Sequence, residues 1–125
     1  MAALTRLDVA KDAQVSLDLA GSGSPFAAAA GGGDTIALDD ATDLYILNND
    51  GSTGITATLA AQVSTIRPGD GRFGDIAVAA KTVTVAKGKC IALRAPACLY
   101  SDENGLAHLT YSGVTNVHVA AVRRV

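Results

Sequence analysis

From residue 34 onward, apolar side chains recur at nearly every second position, and short turn-forming stretches interrupt this pattern. Ile55, Ala57 and Leu59 begin a run in which apolar residues alternate mainly with threonine. A period of two is typical of a β-strand with one buried face. Turn signals separate the runs, and no longer stretch carries a helical stripe. The sequence therefore predicts an all-β fold, a β-sandwich or small β-barrel of about 7–8 antiparallel strands with an extended N-terminal arm.

Three local patterns make this prediction more specific. Residues 44–47 (Leu-Tyr-Ile-Leu) are apolar on both faces, which indicates a central strand covered on each side. Residues 48–51 (Asn-Asn-Asp-Gly) predict a hairpin-type turn, because these residue types tolerate positive φ. The apolar phase changes from even positions at Ile76 to odd positions at Val83. This change predicts a bulge or turn near residues 79–81.

The first third of the chain differs from the rest. It holds one alternating piece, residues 15–19, followed by the small, breaker-rich residues 21–33. We predict an N-terminal arm and Gly/Ala-rich link over residues 1–33 and a β domain over residues 34–125. Two interpretations of residues 4–19 stay open: a strand that joins a neighbouring subunit or crosses a partner, or the first strand of the chain's own sandwich.

Composition and charge narrow the class of protein. Hydrophobic residues make up 49% of the chain and charged residues 18%, values that exclude a disordered chain. No Lys or Arg occurs between residues 12 and 66, whereas residues 67–125 carry eight basic and four acidic residues. This asymmetry suits either head-to-tail packing of identical subunits or ordinary solvated loops. No basic cluster interleaved with aromatics and no signal or membrane segment is seen, so we expect no nucleic-acid or membrane partner and synthesis in the cytoplasm.

Two motifs resemble cofactor or metal sites and have simpler interpretations. Residues 69–74 match the dinucleotide pattern G-x-G-x-x-G, but a proline precedes them and a β-type run follows, which favours a glycine-rich loop. Cys90, Cys98, His108 and His118 are zinc-ligand types, yet they lack the short paired spacings of structural zinc sites. For the two cysteines, a disulfide and a pair of free thiols both stay open.

Catalytic and calcium-binding patterns are also missing from the sequence. No G-x-S-x-G motif occurs, and the sole glutamate, Glu103, lies in a turn-forming stretch. Asp39, Asp40 and Asp43 form an oxygen-rich stretch, but its spacing fits no EF-hand loop. We therefore expect no catalytic residue, no cofactor and no metal, and predict that the protein is not an enzyme.

Five runs, in this order, resemble a known group of proteins: residues 32–36 (GGDTI), 44–49 (LYILNN), 82–88 (TVTVAKG), 100–105 (YSDENG) and 109–123 (LTYSGVTNVHVAAVR). Together they resemble small virion proteins of tailed bacteriophages, of the kind that act as head decoration (cement) proteins. The resemblance implies a structural protein on the capsid exterior that binds and stabilises the phage head by bridging major capsid protein subunits. It also implies a homo-oligomer, a trimer or a dimer, and it brings no functional residues to transfer.

The contacts with such a partner are expected at the two ends of the chain. We predict them at three apolar residues of the arm and two basic residues of the C-terminus: Leu4, Leu7, Val9, Arg123 and Arg124. Two other functions stay open, a minor tail, connector or fibre component of the same virion and a glycan- or ligand-binding β module. The latter normally exposes aromatic side chains, and this chain has only three Tyr and two Phe to supply both core and site.

Overall fold

The fold is a β-sandwich. The computed structural model describes residues 2–10, 26–63, 65–66, 74 and 76–124. Its elements are β1 (Ala2–Ala3), β2 (Arg6–Val9), β3 (Ala27–Ala28), β4 (Asp34–Ala37), β5 (Thr42–Asn48), β6 (Ile55–Leu59), β7 (Thr65–Ile66), β8 (Ile76–Ala77), β9 (Lys81–Val85), β10 (Cys90–Leu93), α1 (Ala97–Tyr100), β11 (Leu106–Tyr111) and β12 (Val117–Arg124).

Two sheets form the layers of the sandwich. The first sheet has the order β1-β4-β11-β6-β9, and the second has the order β10-β5-β12-β2, with β3 also paired to β12. Strands β7 and β8 form a separate two-stranded ribbon. The predicted all-β class is confirmed, and of its two forms the structure has the sandwich and not the closed barrel.

Alternation along the strands builds the core between the sheets. Ile55, Ala57 and Leu59 are buried, as the period of two predicts, and Thr56 and Thr58 lie on the opposite face. Large apolar side chains such as those of Ile36 and Ile46 have no exposed surface. Burying one such side chain contributes about 1.5–3 kcal/mol to the free energy of unfolding. The core therefore holds the two layers together.

The turn at residues 48–51 does not form a hairpin, so that prediction is wrong. Strand β5 before it belongs to the second sheet, whereas β6 after it belongs to the first. The buried side chain of Asn48 donates from Nδ2 to the carbonyl oxygens of Thr53, at 2.8 Å, and Val85, at 3.1 Å. Turn chemistry specifies a reversal of the chain, but the strand's pairing partner is decided by core packing across the sequence.

The N-terminal strands take part in both sheets. Strand β1 pairs in parallel with β4, and β2 pairs in parallel with β12. The other strand pairs of the described residues are antiparallel, as predicted, and these two pairs are parallel additions at the sheet ends. In the described part of residues 4–19, up to residue 10, the chain adds a strand to its own sandwich. Residues 15–19 lie outside the described residues, and the division into units 1–33 and 34–125 stays a prediction.

One further prediction agrees with the structure, and one short helix was not expected. Strand β5 lies between β10 and β12, as a central strand should. The apolar phase changes at a break between β8 and β9, where residues 78–80 form neither a strand nor a turn. Helix α1 has only four residues, and Oδ1 of Asp40 accepts a hydrogen bond from the backbone N–H of Ala97 at its start. Among the described residues, no helix has the length and apolarity needed to cross a membrane.

Candidate functional site

Four of the five predicted interaction residues lie together at one edge of the second sheet. In the parallel register of β2 and β12, Leu7 lies beside Val122 and Val9 lies beside Arg124. Arg123 comes between these two pairs and lies beside Asp8. The fifth residue, Leu4, lies apart from them and packs, partly buried, against the core. The structure thus joins the N-terminal arm and the basic C-terminus into one surface.

A network of arginine and aspartate side chains holds β2 against β12 at this edge. Arg123 binds Asp8 through two hydrogen bonds, of 2.9 Å from Nε to Oδ1 and 2.8 Å from Nη2 to Oδ2. Arg123 and Arg6 also reach Oδ2 of Asp39, at 3.4 and 3.5 Å. Nη1 of Arg6 donates to the carbonyl oxygen of Ala37 at 3.0 Å. Because Arg6 and Asp8 alternate with the outward-facing Leu7, they point inward, which is a known way to protect a sheet edge from unwanted pairing.

The surroundings of Asp39 in this network favour the charged form of its carboxylate. The pKa of Asp39 is lowered, first by the hydrogen bond from the Thr42 hydroxyl, at 2.8 Å, and further by the Ala41 N–H and by Arg123. The hydrogen bond to Asp8 raises the pKa of Arg123. The network pairs two arginines, Arg6 and Arg123, with two aspartates, Asp8 and Asp39.

A second cluster lies at the outward side of the same sheet. The side chain of Asp43 is only 10% exposed and accepts hydrogen bonds from Arg94 at 2.5 and 3.2 Å. Arg124 approaches the same carboxylate at 3.9 Å. The side chains of Arg94 and Arg124 are 65% and 57% exposed, so both guanidinium groups face solvent. With two arginines on one aspartate, this cluster carries a net positive charge.

Apolar side chains cover the sheet face next to this cluster. Tyr45 lies beside Ala120 in the register of β5 and β12, and Val122 lies beside both Asp43 and Leu7. We call the accessible part of this surface the terminal face and define it by half-buried or exposed residues of β2, β5, β12 and the position after β10: Leu7, Val9, Tyr45, Leu47, Arg94 and Arg124. An apolar centre with a tyrosine and with arginines at its border is typical of protein–protein interfaces.

The outer face of the first sheet has a different character. Thr58 lies between Thr110 on β11 and Thr82 on β9, and Thr56 lies opposite Thr84. We call these five threonines the hydroxyl face. No Lys, Arg, Asp or Glu occupies an outward position on β4, β11, β6 or β9. This face offers hydrogen-bonding groups without net charge.

The histidine and aspartate residues considered as catalytic candidates have structural contacts. Nε2 of His108 lies 2.9 Å from Oδ2 of Asp102. Oδ1 of Asp102 also accepts the backbone N–H groups of Asn104, at 2.8 Å, and Leu106, at 3.0 Å. The hydrogen bond from His108 is the first cause of the lowered pKa of Asp102. The pair therefore fastens the turn that leads into β11.

The metal-ligand types do not converge. His108 lies on β11 in the first sheet and His118 lies on β12 in the second. Cys90 and Cys98 are both exposed free thiols, so the structure has the second of the two alternatives for the cysteines. Within the described ranges, no three His, Cys, Asp or Glu side chains are close enough to hold a metal ion. Of the glycine-rich residues 69–74, only Gly74 lies in the described part, with φ of 74°.

Sequence reasoning missed the partners of the predicted basic residues. Asp8, Asp39 and Asp43 bind the arginines of this sheet edge, and the sequence pattern did not indicate these contacts. Asp39 and Arg123 are 84 positions apart in the chain. The only local signal was the alternation of Arg6 and Asp8 with Leu7 and Val9, which is itself a strand pattern.

Comparisons of the chain with protein-family models, with curated proteins and with solved structures find no match.

Proposed function

We propose that this chain is a structural virion protein, a capsid decoration protein that binds the phage head and stabilises it by bridging major capsid protein subunits. The observation that carries the proposal is the terminal face, where the arm and the C-terminal strand form one apolar surface bordered by Arg94 and Arg124. The resemblance to decoration proteins supports the choice of partner.

The rigidity of the terminal face suits such a role. Its apolar residues lie on paired strands, and the arginine–aspartate network fixes β2 in register with β12. A preformed surface loses little conformational entropy on binding. Many copies on one shell would then stabilise it even when each contact is modest, because multivalent attachment raises the effective concentration. A trimer or dimer of the chain would match the symmetric sites of a shell.

A charge reversal tests the terminal face. The variant Arg124→Glu changes the charge of an exposed side chain and leaves the bidentate Arg94–Asp43 pair in place. The control Lys89→Glu makes the same charge change at the opposite end of the sandwich, where Lys89 is exposed. We expect Arg124→Glu to weaken co-sedimentation with capsids lacking this protein by at least about tenfold and Lys89→Glu to leave it unchanged. Equal binding by wild type and both variants would contradict the proposal.

Copy number separates decoration from the tail, connector and fibre alternatives. Quantitative mass spectrometry of purified particles measures the number of copies of this chain per major capsid protein. The proposal expects one copy per one to a few coat subunits. A handful of copies per particle would indicate a tail or connector component instead, and absence from the particle would refute a virion role.

A second candidate function is favoured by the hydroxyl face. Its threonines make an uncharged, hydrogen-bonding surface that suits a neutral ligand such as a glycan. A glycan-array screen with wild type and the variant Thr58→Lys tests this function, since the lysine would place a charge at the centre of the face. Glycan binding that is lost in Thr58→Lys and kept in Arg124→Glu would support this function. Absence of glycan binding by the wild type would exclude it.

A further inference from the structure

We propose that the N-terminal segment Ala2–Val9 exchanges between copies of this chain, so that β1 and β2 of one copy pair with β4 and β12 of another. The inference goes beyond the proposed function, because it concerns how copies join one another and requires no capsid. The partner is a second copy of the chain, and its binding site is the pair of strand edges that β1 and β2 occupy.

The strand pairing makes the segment separable from the rest of the sandwich. Strand β1 lies at the end of the first sheet, and of the described strands it pairs with β4 alone. Strand β2 lies at the end of the second sheet, and of the described strands it pairs with β12 alone. Withdrawing the segment therefore breaks no other pair among the described strands, and it leaves two unpaired edges that the same segment of a second copy fits.

The segment is separated from the next strand by a long stretch of sequence. Strands β2 and β3 both pair with β12, in opposite directions, and residues 10–26 come between them in the chain. The entropic cost of closing a loop grows only slowly with its length. Pairing of the segment within its own chain therefore has a limited entropic advantage over pairing with a second copy. Pairing within one chain competes with pairing between copies through the effective concentration of the segment, which is on the order of a millimolar. Exchange should therefore compete when copies are concentrated to about that level.

Specific contacts fix the register in which the segment pairs. Asp8 pairs with Arg123, and Arg6 pairs with Asp39 and with the carbonyl oxygen of Ala37. The backbone N–H of Leu4 donates to the carbonyl oxygen of Thr35 at 2.9 Å. A slip of one residue would turn the inward charges outward and lose these bonds. All of these contacts join the segment to residues outside it, so they form equally well with a second copy.

Reciprocal exchange gives a closed dimer with twofold symmetry, whereas one-way exchange gives an open chain. In either case, Asp39 and Arg123 of one copy complete the contacts of Arg6 and Asp8 of the other. The interface is charged as well as apolar, and this makes it open to a test by complementary charge reversal.

Two single variants test the exchange in solution. A copy with Asp8→Arg and a copy with Arg123→Glu each carry a mismatched pair within their own chain. When the two are mixed, reciprocal exchange matches both pairs: Arg at position 8 meets Glu at position 123, and native Asp8 meets native Arg123. We expect native mass spectrometry to show a heterodimer roughly tenfold more populated than either homodimer. A mixture that contains only the species of the separate variants would overturn the proposal.

A cross-linking experiment supplies a second measurement without changing charge. With Cys90 and Cys98 replaced by Ser, Leu7→Cys is placed in one copy and Val122→Cys in another, because these positions are register partners. We expect a disulfide between copies that increases with concentration up to about a millimolar. Leu7→Cys mixed with Thr84→Cys serves as the control, since Thr84 is exposed on the hydroxyl face.

The double variant Leu7→Cys/Val122→Cys sets the reference for that experiment. At micromolar concentration it should close a disulfide within one chain, because β2 lies beside β12. Closure within the chain, together with no link between single variants at any concentration, would overturn the exchange. Failure of the double variant to close would overturn it as well, since the binding site for β2 would then be absent in solution.

Discussion

The hydroxyl of Tyr111 donates a 2.5 Å hydrogen bond to Oδ2 of Asp34, a residue with no exposed surface. The contact ties the end of β11 to the start of β4 inside the sandwich. Burial raises the pKa of Tyr111 far above its ordinary value, and the hydrogen bond to Asp34 raises it further. Oδ1 of Asp34 is buried with no hydrogen-bond partner among the described residues. The Asp34 carboxylate therefore has few hydrogen-bond donors among the described residues, and the Tyr111 hydroxyl is one of them.

Removing the Tyr111 hydroxyl should destabilise the protein measurably. The variant Tyr111→Phe leaves a buried carboxylate with one donor fewer, and we expect the free energy of unfolding to fall by about 1–3 kcal/mol. Urea denaturation followed by far-ultraviolet circular dichroism measures this change. Tyr100→Phe is the matched control, because the Tyr100 hydroxyl donates to the exposed carbonyl oxygen of Ala79. Equal stability of the two variants would contradict a structural role for the Asp34–Tyr111 contact.

Asn48 should matter far more than its neighbour in the same turn. Besides its two donated hydrogen bonds, Oδ1 of Asn48 accepts the backbone N–H of Asp50 at 3.1 Å. Asn48→Ala leaves the carbonyl oxygen of Val85 without this donor, and we expect a loss of about 1–3 kcal/mol. Asn49→Ala removes an exposed amide from the same turn and should change stability by less than about 0.5 kcal/mol. Thermal or urea unfolding of the pair tests this, and a smaller effect at position 48 than at 49 would refute it.

Acid should weaken the turn that leads into β11. The pKa of Asp102 is lowered in the folded protein, first by the hydrogen bond from His108 and next by the backbone N–H of Leu106. A lowered folded pKa means that the contribution is present above the unfolded carboxyl value, near pH 4, and is lost as the pH falls below it. Asp102→Asn should therefore flatten the dependence of stability on pH in this acidic window.

The neighbouring glutamate provides the control for that pH dependence. Glu103→Gln removes a carboxylate from the same turn without touching the contact between Asp102 and His108. Urea midpoints measured between pH 7 and about pH 2.5 should show the wild-type slope in Glu103→Gln and a reduced slope in Asp102→Asn. Identical slopes in the wild type and Asp102→Asn would show that this hydrogen bond does not link stability to pH.

Both cysteines should be available to a thiol reagent in the folded protein. Cys90 and Cys98 are exposed and unpaired, so Ellman's reagent should titrate two thiols without denaturant. Burial raises the pKa of Cys90, and its reaction rate should keep rising with pH into the alkaline range because the thiolate is the nucleophile. The variant Cys98→Ser isolates this rate. A native protein that yields no reactive thiol would indicate that the two residues are bonded.

The candidate site was only partly accessible to sequence reasoning. Leu7, Val9 and Arg124 were predicted as contact residues from their place near the ends of the chain, and the structure puts them on one face. The aspartates that hold this face in place were missed. Asp43 pairs with Arg94 across 51 positions, and no local pattern encodes a contact over such a distance.

The strand periodicity, the inward residues and the positions of most chain reversals could be predicted from the amino-acid sequence, because they follow from backbone geometry over a few residues. Ile55, Ala57 and Leu59 could thus be assigned to the core without a structure. That residues 48–51 connect two sheets, and that β1 and β2 pair in parallel with β4 and β12, became apparent from the three-dimensional structure alone. Strand partners are chosen by burial and hydrogen bonding between distant segments, and an alternating strand satisfies the same local rules whichever partner it meets.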